Sequence, residues 1–478
     1  MAEMLLHQAA NSRGRSPLGE LLILGLPTVA QQASYTVLQF TDTYMLSRVG
    51  ATEATAAGNA GMLAYSIMGF GAGIVFLVNT LVSQAYGRKD DRACGPYLWQ
   101  GIWVGLIYGT LTLLLLPIAH YPFELSRHEP RLAHLETTFL QIAIGGTCLK
   151  LAATAMGQFL IAINRPNVVM IATIASVLTN VFANYLLIFG YHGLPKLGVI
   201  GSAWGTNIAI LVEVAIVAGV VFTRPIRTRF HTTAWRPQIE RMKTLVKLGA
   251  PAGVQMVADV LAWTVFMMTV MGIYGTKAMA GSTYAFRFWI LSFMPAFGIA
   301  AAVTTLVGRY IGEGRPDISE ARAHLGFKVC AIYMTCCGII CFLFREQLIG
   351  LFSTDPEVIR IGAMVLTVAA VFQIFDAMFV VYSGALRGAG DTLVPAVALI
   401  SLSWTIVVGG GYLLATQFNR LGPVAPWCAG IVYAVLLGFF LLQRFRRGKW
   451  KSLNLERKVD DAKVDSISPA IPVGADGA

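Results

Sequence analysis

Long apolar runs that carry almost no charge recur from residue 18 to residue 445, and most have the length needed to cross a bilayer. About 20 apolar residues at roughly 1.5 Å per residue span the hydrocarbon layer as a helix. Inside lipid the backbone must satisfy its own hydrogen bonds, so only helices and closed barrels can cross. A barrel would read as about ten-residue segments of alternating polarity, and no such pattern is present. Composition agrees. Only 13% of residues are charged, against about 25% in a soluble chain. The chain reads as an all-α polytopic membrane protein.

Twelve spans are expected, at 18–47, 58–86, 97–119, 135–161, 167–190, 199–222, 244–273, 279–311, 324–344, 358–386, 393–416 and 423–445. If the N-terminus is cytoplasmic, the tails and even-numbered loops, taken with the span ends that adjoin them, hold 26 of the 36 Lys and Arg. The other side, counted in the same way, holds eight, and Lys150 and Arg287 fall in or at the ends of spans. By the positive-inside rule this places both termini in the cytoplasm. The net charge of +11 is therefore spread over short loops. It forms no nucleic-acid recognition motif, and no nucleic-acid partner is expected. The seven cysteines form no CxxC pair and read as small packing residues. The first apolar run is too long for a signal core, so it should remain as a helix.

The chain repeats itself. "LGLP" at 24–27 opens the first span and "LGAP" at 248–251 opens the seventh. From Pro27 to Gly87 is 60 residues, and from Pro251 to Gly312 is 61. From Pro27 to Gly157 is 130, and from Pro251 to Gly384 is 133. This predicts two pseudo-symmetric six-helix lobes: a first lobe at 18–223, a cytoplasmic linker at 224–243 and a second lobe at 244–446. A short tail at 1–17 precedes them, and a polar tail at 447–478, expected to be disordered, follows. Six helices per lobe orient both lobes alike, about an axis along the membrane normal, which suits a rocking transporter.

Four carboxylates stand well inside the expected spans: Asp42, Glu213, Asp259 and Asp376. Each costs around 3 kcal/mol to insert unless it faces a cavity or a partner, so such residues are functional by default. Asp259 and Asp376 belong to the second lobe. If their helices face each other, they share one low-dielectric space and bind a proton or a monovalent cation. Otherwise each is separately hydrogen-bonded. In the first lobe, Asp42 stands between threonines in "VLQFTDTYML", and Asn180 and Asn184 lie one turn apart on one face. With Thr206 they compose either a cation or proton-relay cluster or a set of interhelical hydrogen bonds. Glu213 has no evident partner. Gln84 in "VSQAYGRKDD", and Arg387 and Asp391 in "ALRGAGDT", fall at helix ends. They read as gate and packing elements, with Arg387 capping carbonyls or pairing with Asp391.

Six segments in order, "LGLP", "VSQAYGRKD", "NYLLIFG", "LGAPAGVQMVAD", "FQIFDA" and "GALRGAGDT", resemble the multidrug and toxic-compound extrusion (MATE) transporters, nearest their NorM-like bacterial branch. The resemblance covers about 18–446. It implies a twelve-helix antiporter that expels organic cations and amphiphilic drugs in exchange for Na⁺ or H⁺. It further implies a monomer in the bacterial inner membrane, with no cofactor beyond the coupling ion. Asp259 and Asp376 match the family's acidic pair in the second lobe. Asp42, Asn180, Asn184 and Thr206 match its first-lobe ion site, so either set could hold Na⁺. Asp259 stands where the branch usually has Glu, and Phe372 where a Tyr is frequent. A flippase for lipid-linked saccharides is the nearest alternative, but it asks for more Lys and Arg inside the spans. An enzyme is not expected, because no metal-hydrolase or nucleophile-elbow motif occurs.

Overall fold

In a computed structural model of the chain, residues 16–453 other than His192 and Leu194 are described. The end of the polar tail, "SISPAIPVGADGA", and the first 15 residues lie outside them. The described residues form helices and connecting turns, with no strand among them. In chain order the long helices are α1 (Pro17–Ser47), α2 (Ala51–Gly87), α3 (Asp91–Ile118), the bent pair α4 (Pro130–Gly145 and Thr147–Ala162), α5 (Pro166–Phe189) and α6 (Val199–Val221). The second set is α7 (Ile239–Val265), α8 (Gly275–Gly312), α9 (Pro316–Leu343), α10 (Pro356–Ala389), α11 (Leu393–Gln417) and α12 (Ala425–Arg446).

Length and apolarity alone mark ten spans among the described residues, or up to eleven with the bent pair, because 239–312 counts as one run. Seventy-four residues of helix would be about 110 Å long, far more than a bilayer. The run breaks between α7 and α8. Phe266–Val270 is a π turn, Met271–Tyr274 a 3₁₀ turn, and Gly275 turns with φ +84°. Split there, the described residues hold twelve spans. Several helices outrun the expected boundaries: α2 begins at Ala51 rather than 58, and α3 at Asp91 rather than 97. Hydropathy marks the lipid slab, whereas the helix continues until it is capped. At α3 the cap is Asp90, whose Oδ1 accepts from Ala93 N at 3.2 Å.

Proline at the first helical position opens α1, α5, α9 and α10. Gly390, at φ 88°, closes α10 with its N–H on the Arg387 carbonyl. The segment after α6 is no free linker. Arg224–Phe230 is a short helix, and the chain beyond it lies along α3. There Trp99 and Trp103 donate to the carbonyls of Thr232 and Trp235 at 2.6 and 2.7 Å.

The two largest apolar cores lie one in each lobe, and each takes in residues of the other: Leu21 and Leu24 of α1 join the second-lobe core, and Leu245 and Ala252 of α7 the first. Small residues bring the lobes closest, as in other membrane helices. A Cβ on Gly73 of α2 would lie 2.5 Å from the backbone of Gly253 on α7. Thr28 Oγ1 of α1 donates to the Gly298 carbonyl of α8 at 2.7 Å. Toward the end that bears the basic loops, Asn79 Oδ1 accepts from Thr305 Oγ1 at 2.9 Å. Nearby, Glu20 of α1 accepts from Tyr310 and Arg322 of the other lobe at 2.9 and 2.8 Å.

Candidate cation sites in the two lobes

In the first lobe α1, α5 and α6 pack side by side, and their polar positions meet. Asn180 and Asn184 are both fully buried on α5. Asn184 Nδ2 donates to Asp42 Oδ1 at 2.6 Å and to Asn180 Oδ1 at 3.0 Å. Asn180 Nδ2 then donates to Thr206 Oγ1 at 3.2 Å. One chain of hydrogen bonds thus joins Asp42, Asn184, Asn180 and Thr206, the set read as this lobe's ion cluster. The close approach depends on Gly205, where a Cβ would clash with Asn184 Oδ1. That oxygen is buried and has no hydrogen-bond partner. A carboxylate, amide oxygens and a hydroxyl are hard oxygen donors of the kind that suit an alkali cation or a proton.

In the second lobe Asp376 is buried on α10, and its Oδ2 accepts from the indole N–H of Trp289 on α8 at 2.8 Å. Gln373, about one turn earlier, donates to Ser292 Oγ at 2.8 Å, and its own Oε1 is buried without a partner. Asp259 lies on α7 beside Trp263, within electrostatic reach of Asp376 and of Tyr65 from the first lobe. Tyr433 lies within electrostatic reach of both carboxylates. Aromatic rings surround the pair. Trp263 lies 5.1 Å from Trp289 and 6.2 Å from Trp427, centroid to centroid, and Phe372 meets Trp289 edge-on at 6.0 Å.

The helix-end residues divide. Gln84 reaches across the lobes, with Nε2 on the Gly388 carbonyl at 3.0 Å, and Thr80 Oγ1 meets the Arg387 carbonyl at 2.9 Å. Arg387 therefore joins this seam through its backbone. Of the two roles read for Arg387, capping carbonyls or pairing with Asp391, the pairing is not formed. Asp391 Oδ2 accepts from Arg444 Nε of α12 at 2.8 Å. The turn at Gly390 places Asp391 beyond the end of α10, where α12 brings in its own arginine. The reading of Glu213 as unpartnered is also corrected. Its Oε2 accepts from Lys150 Nζ at 2.8 Å and its Oε1 from Tyr35 OH at 3.0 Å. Sequence spacing cannot bring 150 and 213 together; the packing of α4 on α6 does.

The model of one family, MatE, matches the chain twice, over residues 27–186 and 251–413. The chain belongs to the MatE family. As a MatE protein it is a multi-pass membrane transporter and not an enzyme. Among curated proteins it is similar to the probable multidrug resistance protein NorM of Rhizobium meliloti, at 29% identity over 93% of this chain and 95% of that one. It is also similar to the multidrug resistance protein PmpM of Pseudomonas aeruginosa, at 28% identity over 95% and 98%. Its fold matches a solved multidrug resistance MATE family transporter in an outward-facing conformation, with TM-score 0.84 and 19% identity over 92% and 97% of the two chains. A eukaryotic MATE transporter, AtDTX14, matches equally well, with TM-score 0.84.

Two features of this MatE chain were not singled out from sequence. Trp289 carries no charge signal, and only the packing of α8 on α10 points its N–H at Asp376. Glu136 sits near a span end in "RLAHLETTF", which hides that it is fully buried. It accepts from Asn59 and pairs with His128, both at 2.7 Å.

Proposed function

We propose that this protein exports organic cations and other amphiphilic drugs in exchange for inward-moving Na⁺ or H⁺. One observation carries the reading: each lobe holds a carboxylate within its spans set among oxygen donors, half-buried Asp42 in the first and buried Asp376 in the second, and the second also has an aromatic surround. Asp376 and Asp259 offer negative charge, and Trp263, Trp289 and Trp427 offer π faces, the pairing that attracts a lipophilic cation. A carboxylate in this setting is stable when neutralised by a proton, a metal cation or a cationic drug. Exchange of one for another biases the lobes between two arrangements, which is how a gradient drives export. In a sodium-driven cycle Asp42, Asn180 and Thr206 would hold the ion in the first lobe, and Asp376 with Gln373 in the second. The multidrug resistance proteins to which the chain is similar support the drug class. The positive-inside asymmetry supports cytoplasmic termini in a bacterial inner membrane, and the protein acts as a monomer. A lipid-linked pyrophosphate cargo would call for free cations within the bundle, whereas Lys150 is tied to Glu213.

Inverted membrane vesicles, given a ΔpH and a Na⁺ gradient separately, test this. One gradient should drive accumulation of a fluorescent organic cation, and Asp42→Asn or Asp376→Asn should abolish that drive. Accumulation indifferent to both gradients would overturn the antiport reading.

A further inference from the structure

Tyr35, Lys150 and Glu213 close a ring in the interior of the first lobe. Tyr35 OH donates to Glu213 Oε1 at 3.0 Å, Lys150 Nζ donates to Glu213 Oε2 at 2.8 Å, and Lys150 Nζ donates to Tyr35 OH at 2.9 Å. The ammonium also lies 4.7 Å from the Tyr35 ring centroid. The ring joins three helices, α1, α4 and α6. An unneutralised charge in this setting is costly, so the three are held to one mutual register.

That register is shared with the Asp42 site. Tyr35 and Asp42 are seven residues apart on α1, and Glu213 and Thr206 are seven apart on α6. Seven residues is close to two helical turns, so each pair lies on one face, about 10 Å apart along the axis. On both helices the member nearer the basic end enters the ring, and the other enters the Asp42–Asn184–Asn180–Thr206 chain. Between the two levels, α5 supplies Ser176, whose Oγ donates to the Ala209 carbonyl of α6 at 2.9 Å. It also supplies Thr173, whose buried hydroxyl lies beside Tyr35. Polar side chains thus recur at each level between α1, α5 and α6, from Asp42 to the ring.

We infer that Tyr35, Lys150 and Glu213 are positioning residues for the Asp42 cation site: a charged ring, two turns away, that sets where α1 stands against α4 and α6. Loss of the ring lets α1 shift and moves Asp42 relative to Asn184. The inference rests on the antiport reading for Asp42 and deepens it.

The test compares Lys150→Met, Glu213→Gln, Tyr35→Phe and the double variant Lys150→Met with Glu213→Gln, in the full chain reconstituted into liposomes. The single charge variants leave one unpaired charge in the membrane and should lose most export and some folded yield. The double variant leaves none, so it should fold with normal yield. Its export should need at least a threefold different Na⁺ concentration or proton activity for half-maximal rate, while a fluorescent organic cation still binds. Tyr35→Phe should shift the same profile in the same direction by less. A well-folded double variant with an unshifted cation profile would overturn the inference, since the ring would then only hold helices together. Asp42→Asn serves as the reference. If it retains coupled export, the antiport reading of this lobe fails; if it loses coupling while the double variant is normal, the positioning role alone fails.

Discussion

Asn184 holds Asp42: its Nδ2 meets Asp42 Oδ1 at 2.6 Å, and the same nitrogen reaches Asn180 Oδ1 at 3.0 Å. One amide thus orients both the carboxylate and its neighbour. A hydrogen bond to a charged group contributes about 1.5–3 kcal/mol, and a buried group left unsatisfied costs a comparable amount. Asn184→Ala should therefore lower cation-driven export by about tenfold. Asp42→Asn should abolish it, because it removes the only charge in the cluster and keeps the shape. Both variants should elute from size exclusion as the wild type does. Equal export by Asp42→Asn and wild type, at matched protein level, would make the cluster a set of interhelical contacts.

Trp289 plays the corresponding part for Asp376, with one N–H at 2.8 Å. Trp289→Phe keeps a ring for the contacts to Trp263 and Phe372 but removes that donor. Coupled export should fall severalfold while equilibrium binding of a fluorescent organic cation changes little. Asp376→Asn and Asp259→Asn should each remove gradient-driven export, and the double variant should be little worse than either. Groups that act as one site lose function once, not twice. Strictly additive losses, measured as initial export rates, would separate the two carboxylates into independent roles.

How much of this was legible in the sequence follows from what kind of signal each residue leaves. The helices and the two-fold repeat are written in hydropathy and in matched landmarks such as Pro27 and Pro251, which any residue-by-residue reading sees. Acidic residues inside apolar runs stand out, so Asp42, Asp259 and Asp376 were visible. The Asn180–Asn184 spacing placed both amides on one face. Pairings that depend on three-dimensional packing were not visible. Lys150 lies 63 residues from Glu213, and Arg444 lies 53 from Asp391. In the second case the nearer cation, Arg387, was one of the partners the sequence offered, and the turn at Gly390 rules it out. Trp289 was invisible for a different reason: an aromatic residue in a membrane helix is ordinary until a carboxylate is seen beside it.

The seam between lobes at the basic end rests on small contacts that can be broken one at a time. Gln84 Nε2 and Thr80 Oγ1 of α2 donate to the carbonyls of Gly388 and Arg387 on α10. A Cβ on Gly87 would collide with the Arg309 carbonyl of α8. Gly87→Val must therefore push α2 and α8 apart at this end. Each hydrogen bond contributes about 1 kcal/mol, so Gln84→Ala should change the ratio of closed to parted forms by about fivefold. Gly87→Val should exceed that, because the closed form becomes sterically forbidden rather than merely weaker. Ser83 is fully buried in this seam, so a Ser83→Cys reporter in a chain freed of its native cysteines reads the state directly. Labelling by a soluble maleimide should be slow in the reporter alone, faster with Gln84→Ala and at least tenfold faster with Gly87→Val. If all three label at one rate, the seam does not govern access to this end of the bundle, and lobe separation must take place elsewhere.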